Sequence, residues 1–518
     1  MSGSRFVHRF AVLALVVPTA VVAVGVYAAS PAAAGPCTTR TANDVDGDGL
    51  SDVLIGQPLR SVGTAKGAVN LIRGSSGGGL TTSLNQYITD SSLGLAPLAS
   101  DEVFGTYAAI GFFDAGCNAD AVIGVTDSGD GSVGAIIAVS GSGAGLNLAT
   151  AQRFTAAQIG PGANEFGSVL AVADFNHDGY DDVAIGAYGT NSEAGGVGVL
   201  YGSSTGLTLM GHQWFTQDST GVPGTATAQN QFGRSLAAGD FNHDGYADLA
   251  IGVPGAGVTR SVGAGAVIIL PGSGNGLTGA NSTIFDEDTD GVPGVAEDND
   301  GFGFAVAAGD VTGDGYPDLM VGAISEVDHG AFGAVFLLRG SSSGITATLS
   351  QYRDQSSTGF PASPILSGYG STLAVADFNH DGFADIASGA GATVVNGHSS
   401  AGAFAVLYGM ASGLSTTGSA VFTEDTAGMP GVPEGGDDLG IGLRALPMTT
   451  SGYAGLIVPA PGESSSNATT NGGIEVLQSG INGIRTTGAV YLDGSNLAGG
   501  IANGAEMGDD QPVPPEAG

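Results

Sequence analysis

Asp240-Phe-Asn-His-Asp-Gly-Tyr-Ala-Asp248, running straight into Leu249-Ala-Ile-Gly252, is the stretch on which the fold turns. Oxygen-bearing side chains stand at its first, third, fifth and ninth places, glycine fills the sixth, and a short apolar run follows. Four more segments match it place by place: Asp44-Val-Asp-Gly-Asp-Gly-Leu-Ser-Asp52, Asp174-Phe-Asn-His-Asp-Gly-Tyr-Asp-Asp182, Asp310-Val-Thr-Gly-Asp-Gly-Tyr-Pro-Asp318 and Asp377-Phe-Asn-His-Asp-Gly-Phe-Ala-Asp385. Two eroded copies begin at Phe112 and Pro447. First places therefore fall at 44, 112, 174, 240, 310, 377 and 447, a period of roughly 65 residues repeated seven times.

Working outward, each unit has one internal order. An apolar run such as Ser235-Leu-Ala-Ala-Gly239 enters the acidic loop, Leu249-Ala-Ile-Gly252 leaves it, and Ala266-Val-Ile-Ile-Leu270 and Ser282-Thr-Ile-Phe285 follow. Short, glycine-bounded, mostly apolar runs read as strands. Four strands per unit and seven units predict an all-β, seven-bladed β-propeller, a closure that hides sheet edges. The 92 glycines and 21 prolines suit many tight turns. The expected boundaries are a signal peptide over 1–34, the propeller over 37–495 and an acidic, Pro-containing tail over 496–518.

Alternate oxygens followed by a glycine reversal wrap a hard cation, and calcium takes six to eight oxygen ligands. The expected ligands are Asp44, Asp46, Asp48 and Asp52; Asp174, Asn176, Asp178 and Asp182; Asp240, Asn242, Asp244 and Asp248; Asp310, Thr312, Asp314 and Asp318; and Asp377, Asn379, Asp381 and Asp385. The twelfth place, where a helix–loop–helix calcium hand carries Glu, holds Ile55, Ile185, Ile251, Val321 and Ser388 here. Without metal, three or four carboxylates would repel one another in each loop. About five Ca²⁺ ions are expected, holding the fold together and taking no part in catalysis. They would bring the formal charge from −36 to about −26. His177, His243 and His380, at the fourth place, read as exposed turn residues.

The charge argues against nucleic acid as partner. Met1 to Arg9 is basic, Phe10 to Ala29 uncharged, and Ala32-Ala33-Ala34 offers a cleavage site, the pattern of a secretory signal. An uncleaved anchor is the rival reading, and no second apolar stretch is long enough to span a membrane. In an oxidising compartment Cys37 and Cys117 read as a disulfide, with two unrelated buried thiols as the alternative.

Phe-Gly pairs stand eight residues before six of the seven loops: Phe104-Gly105, Phe166-Gly167, Phe232-Gly233 and Phe302-Gly303, softened to Tyr369-Gly370 and Leu439-Gly440. Together with Ala250-Ile-Gly252, Ala184-Ile-Gly186 and Met320-Val-Gly322, these resemble the FG-GAP repeats of integrin alpha-chain propellers. The resemblance runs over roughly 37–495 and implies a seven-bladed ring with calcium loops on the lower face and ligands on the upper. The chain shows no inserted adhesion domain, leg domains or C-terminal span, so a true integrin subunit is not expected. The lost metal loop of the second repeat contains Cys117, and a bridge to Cys37 would replace its metal clamp.

Inter-blade links share a second motif: Asp218-Ser-Thr-Gly-Val-Pro-Gly224, Asp288-Thr-Asp-Gly-Val-Pro-Gly294 and Asp425-Thr-Ala-Gly-Met-Pro-Gly431. It reads first as a turn that the ring demands, and more sharply as a surface for a cation-bearing or polyhydroxyl ligand. The three G-x-S-x-G matches at Gly74, Gly202 and Gly340 occupy one turn position with no helix after it, unlike a nucleophile elbow. The expected function is extracellular recognition or adhesion toward a protein or a cell-wall or polysaccharide ligand, by a monomer. The alternatives are a secreted hydrolase or lyase with its site in the central channel, and a structural cell-surface protein.

Overall fold

Apolar runs bounded by glycine become antiparallel four-stranded sheets, one to a repeat. The computed structural model describes residues 40–493 apart from 63–64, 77–78, 99–101, 128–133, 161, 327–331, 448–452 and 464–471. The expected signal peptide, Cys37 and the C-terminal tail lie outside the described residues. Among those residues, no helix is long and apolar enough to cross a membrane.

Blade 4 shows the plan. Strands Ser235–Gly239, Asp248–Val253, Ala266–Leu270 and Thr283–Phe285 pair in order, with Gly239 opposite Asp248 across the acidic loop. The three inner strands are buried along their whole length. They lie between neighbouring blades, which is why their sequences are continuously apolar and do not alternate. The fourth strand rims the ring and is half wet, as in Thr208–Phe215 of blade 3 and Ser415–Phe422 of blade 6. Blades 2, 3, 5, 6 and 7 follow the same pairing order.

Blade-to-blade contact explains the Phe-Gly pair. Phe302, at the approach to blade 5, is fully buried and bridges to Gly265 beside the third strand of blade 4. Gly265 has φ +92°, and a Cβ there would lie 2.2 Å from the Phe302 carbonyl oxygen. Phe232 and Gly195 repeat this one blade earlier. The sequence spacing is thus the footprint of a backbone approach that tolerates no side chain.

Blade 1 departs from the expected four strands. Among the described residues it has three, Val53–Val62, Ala65–Gly74 and Leu80–Ile88. One rung of the missing inner strand survives, with Asp52 N–H donating to the Asn43 carbonyl. Arg444, on the inner strand of blade 7, donates to the carbonyls of Leu54 in blade 1 and Ala108 in blade 2. Its guanidinium satisfies main-chain acceptors on both sides of the gap. Val53, Ile55 and Ile72 pack with Leu446, Ile457, Ile474 and Val476, which closes the ring.

Candidate metal centres and upper-face groove

Within each acidic loop the carboxylates fold the backbone around themselves. In blade 3, Asp174 accepts from the N–H groups of Asp178 and Gly179, Asn176 from Asp178, and Asp178 from Tyr180. Blades 4 and 6 repeat all four bonds, through Asp240, Asn242 and Asp244 and through Asp377, Asn379 and Asp381. In blade 5, Asp310 and Asp314 keep the corresponding three. First, third and fifth side chains therefore converge on one side of the turn. In blade 1, oxygens of Asp44, Asp46 and Asp48 come within 4.8 Å of one another. Burial pushes the Asp44 carboxyl upward, and Asp48 and Asp46 add to the rise against the opposing Gly49 and Gly47 N–H groups.

The residues fit a hard cation. Thr312, only 3% exposed, holds a hydroxyl oxygen with no hydrogen-bond partner at the third place of the blade 5 loop. An unsatisfied buried hydroxyl is costly unless something else uses its lone pair. An all-oxygen set of carboxylates, amide oxygens and one hydroxyl is the ligand chemistry calcium prefers.

The ninth aspartate has an additional duty that its spacing does not reveal. Asp52, Asp182, Asp248, Asp318 and Asp385 are at most 2% exposed. One carboxylate oxygen accepts from the loop backbone, at Val45, Phe175, Phe241, Thr312 or Phe378. The other accepts from the glycine that opens the next turn of the blade, at Gly74, Gly202, Gly272, Gly340 or Gly409. Each thus latches two turns on the lower face, keeping a second lone pair per oxygen for a cation. Burial pushes Asp248 and Asp318 up to about 7 and Asp385 to about 8, partly offset by those N–H donors. Asp120, in the eroded loop of blade 2, makes the same two bonds, to Phe113 and Gly141. The latch outlives the loss of the other ligands.

That eroded loop has a different cation against it. Arg40 donates to the carbonyls of Asp114 and Gly116, the third and fifth places, and to Gly179 in the loop of blade 3. Its guanidinium lies 4.8 Å from the Phe112 ring. Sequence reasoning passed over Arg40, although a cation shortly before the first loop was the available signal. The fourth-place histidines are exposed, as expected. They also lean edge-on against the next blade, His177 on Tyr246 and His243 on Tyr316, with His380 tilted against Tyr453.

On the opposite face, a groove of about 570 Å³ runs between the links around blade 6. Pro364, Ile365 and Val394 give it an apolar side, and Ser363, Asn396, Thr423 and Asp425 a polar one. Asn396 donates to Asp425 across it. Ile365 and Val394 are 66% and 51% exposed, and Val262, Val295 and Val432 stand out of the links and upper loops of blades 4 to 7.

A model of the FG-GAP repeat matches residues 166–200, 232–270, 302–338 and 369–407, from the Phe-Gly pair or its Tyr369-Gly370 counterpart into the third strand of blades 3 to 6. Integrin alpha-8 of Mus musculus is 35% identical over 184 residues, 34% of this chain and 16% of that protein. Phosphatidylinositol-glycan-specific phospholipase D of Bos taurus is 32% identical over 163 residues, 30% of this chain and 18% of that protein. The matched stretch spans less than a fifth of either relative's own length. Among solved structures, a Bacillus licheniformis rhamnogalacturonan lyase PL11 aligns with a TM-score of 0.30 at 12% identity, covering 66% of this chain and 70% of that one.

Proposed function

We propose that this chain, an FG-GAP repeat protein of the integrin-alpha-like family, is an exported recognition module that carries calcium below and takes a protein or glycan ligand above. The observation that carries the reading is the upper-face groove, where exposed Ile365 and Val394 stand beside a polar wall ending in Asp425. Exposed apolar side chains gathered beside directional polar groups mark binding surfaces. Their concentration on the face away from the acidic loops separates recognition from metal-dependent stability. Five Ca²⁺ ions in the intact loops clamp the lower turns, with ligands drawn from the first, third, fifth and ninth places. In blade 2, where those ligands are lost, a Cys37–Cys117 disulfide assists Arg40.

A binding screen over glycans, cell-wall fragments and extracellular proteins tests the reading, run beside a hydrolase and lyase panel. Retention should fall at least tenfold in Ile365→Asp and Val394→Asp. Undiminished retention in both variants, or turnover of any panel substrate, would sink it.

A further inference from the structure

Three positions recur at the handovers between successive blades from blade 3 to blade 7 on the upper face. The first lies two residues past a fourth strand, the second two residues before the Phe-Gly pair or its counterpart, and the third in the loop after the next blade's second strand. Between blades 3 and 4 they are Gln217, Asn230 and Ala256, and Asn230 donates its amide to Gln217 at 2.7 Å. Between blades 5 and 6 they are Gln355, Ser367 and Thr393. There the Thr393 hydroxyl accepts from Ser367 N–H, and Gln355 accepts from Leu366. No charged side chain occupies the three positions at either interface, and these polar groups find side-chain or main-chain partners.

Between blades 6 and 7 the same three positions are Glu424, Asp437 and Glu463. The equivalence is structural, since at three of the interfaces the residue before the third position donates to the second position's carbonyl: Gly255 to Asn230, Ser325 to Asp300 and Gly462 to Asp437. Glu424, Asp437 and Glu463 are 4%, 0% and 5% exposed, and one oxygen from each lies within 4.8 Å of the others. Asp437 uses Oδ2 to accept from Glu434 N–H. Its Oδ1, both oxygens of Glu424 and Oε2 of Glu463 have no hydrogen-bond partner. Gly431 makes room for this cluster, because a Cβ there would lie 3.1 Å from Glu424 Oε1. Glu475, fully buried in the third strand, adds a fourth carboxylate whose field raises Glu424 further.

We propose that Glu424, Asp437 and Glu463 form a divalent-cation site between blades 6 and 7, and that Glu287, Asp300 and Glu326 form its twin between blades 4 and 5. The twin brings one oxygen from each of its three buried acids within 4.8 Å as well. All three positions are acidic at these two interfaces, and all three are neutral between blades 3 and 4 and between blades 5 and 6. Isolated buried carboxylates are too costly to keep without a counter-charge. One hard cation supplies that counter-charge and engages an oxygen from each residue at once. These sites are separate from the lower-face loops. Glu424 sits between Thr423 and Asp425, both in the groove wall, so the ion would staple blade 7 to blade 6 directly behind the recognition surface.

Crystals of the full chain soaked with Mn²⁺, with anomalous maps at the manganese edge, decide the matter. Peaks are expected amid Glu424, Asp437 and Glu463 and amid Glu287, Asp300 and Glu326. Loop peaks appearing without them would overturn the proposal and leave the loop reading intact. Equilibrium dialysis with ⁴⁵Ca²⁺ gives a second measure, in which the Glu424→Gln, Glu463→Gln double variant should bind one ion fewer per chain. Unchanged stoichiometry in a folded variant would equally overturn it. If the variant does not fold, the wild-type map still decides.

Discussion

Arg40 donates a hydrogen bond of 2.9 Å to the main-chain carbonyl of Asp114, placing a fixed positive charge against the eroded loop of blade 2. Arg40→Ala should therefore destabilise the protein by about 1.5–3 kcal/mol, the range for hydrogen bonds to charged groups. The loss should be equal in calcium and in chelator, because this clamp is built from the chain itself. Paired urea denaturations check it, and a loss seen only in chelator would contradict it.

Thr312 offers a sharper test of calcium in the loops than removing an aspartate. Thr312→Val keeps the shape and deletes the unpartnered hydroxyl. In chelator the variant should be as stable as the parent or about 1 kcal/mol more so, since a buried unsatisfied group is gone. In calcium it should gain less stability than the parent, with affinity at the blade 5 site down about tenfold, or 1.4 kcal/mol. Calorimetric scans at stepped Ca²⁺ concentrations read both signs, and identical calcium gains in parent and variant would remove Thr312 from the ligand set.

Asp120 carries a pH dependence that can be assigned to one group. Burial pushes it up to about 7, with Asp114 adding to the rise and the Gly141 and Phe113 N–H groups opposing it. The unfolded chain releases this proton near 3.9, so between about pH 4 and 7 the folded state holds more protons. Its contribution to stability is complete below about pH 4 and is lost as the pH rises through 7. Asp120→Asn should lower stability at every pH, because its amide faces a backbone N–H where an oxygen accepted. The variant's stability should also fall less steeply from pH 4 to 7. Denaturation midpoints across that window, measured in chelator, reveal the difference in slope.

The ring was legible because its determinants are local and repeated. Phe232, Gly233 and the loop from Asp240 to Asp248 lie within 17 residues and recur, intact or eroded, in blades 2 to 7, so period and role coincide. The ninth aspartate was legible as a recurring loop position but not as a latch, since its second partner, Gly272, lies 24 residues on. The acid triads were not legible as triads, although the acidic stretches Glu297-Asp-Asn-Asp300 and Glu434-Gly-Gly-Asp-Asp438 after the link motif hold one member of each. Glu424, Asp437 and Glu463 meet only because two blades dock, and no local spacing encodes that meeting. Blade 1 misled for the opposite reason: its loop promises an inner strand, yet Arg40 holds the chain on the neighbouring blade's loop.

Gly265 separates steric closeness from backbone strain. Its φ is +92°, and a Cβ would lie 2.2 Å from the Phe302 oxygen and 2.4 Å from its nitrogen. Gly344 has a similar φ of +86° but open space around the Cβ position. Gly344→Ala should cost only the conformational term, about 1–2 kcal/mol. Gly265→Ala must add displacement of a neighbouring blade's backbone, about 1–3 kcal/mol more. Because Phe302 is fully buried and begins blade 5, the added cost should appear as looser docking between blades 4 and 5. Hydrogen exchange should therefore rise in Ala305–Gly309 for Gly265→Ala and stay unchanged there for Gly344→Ala. Equal losses in the two variants would mean that the Phe-Gly spacing reflects turn conformation alone, and not the contact between blades.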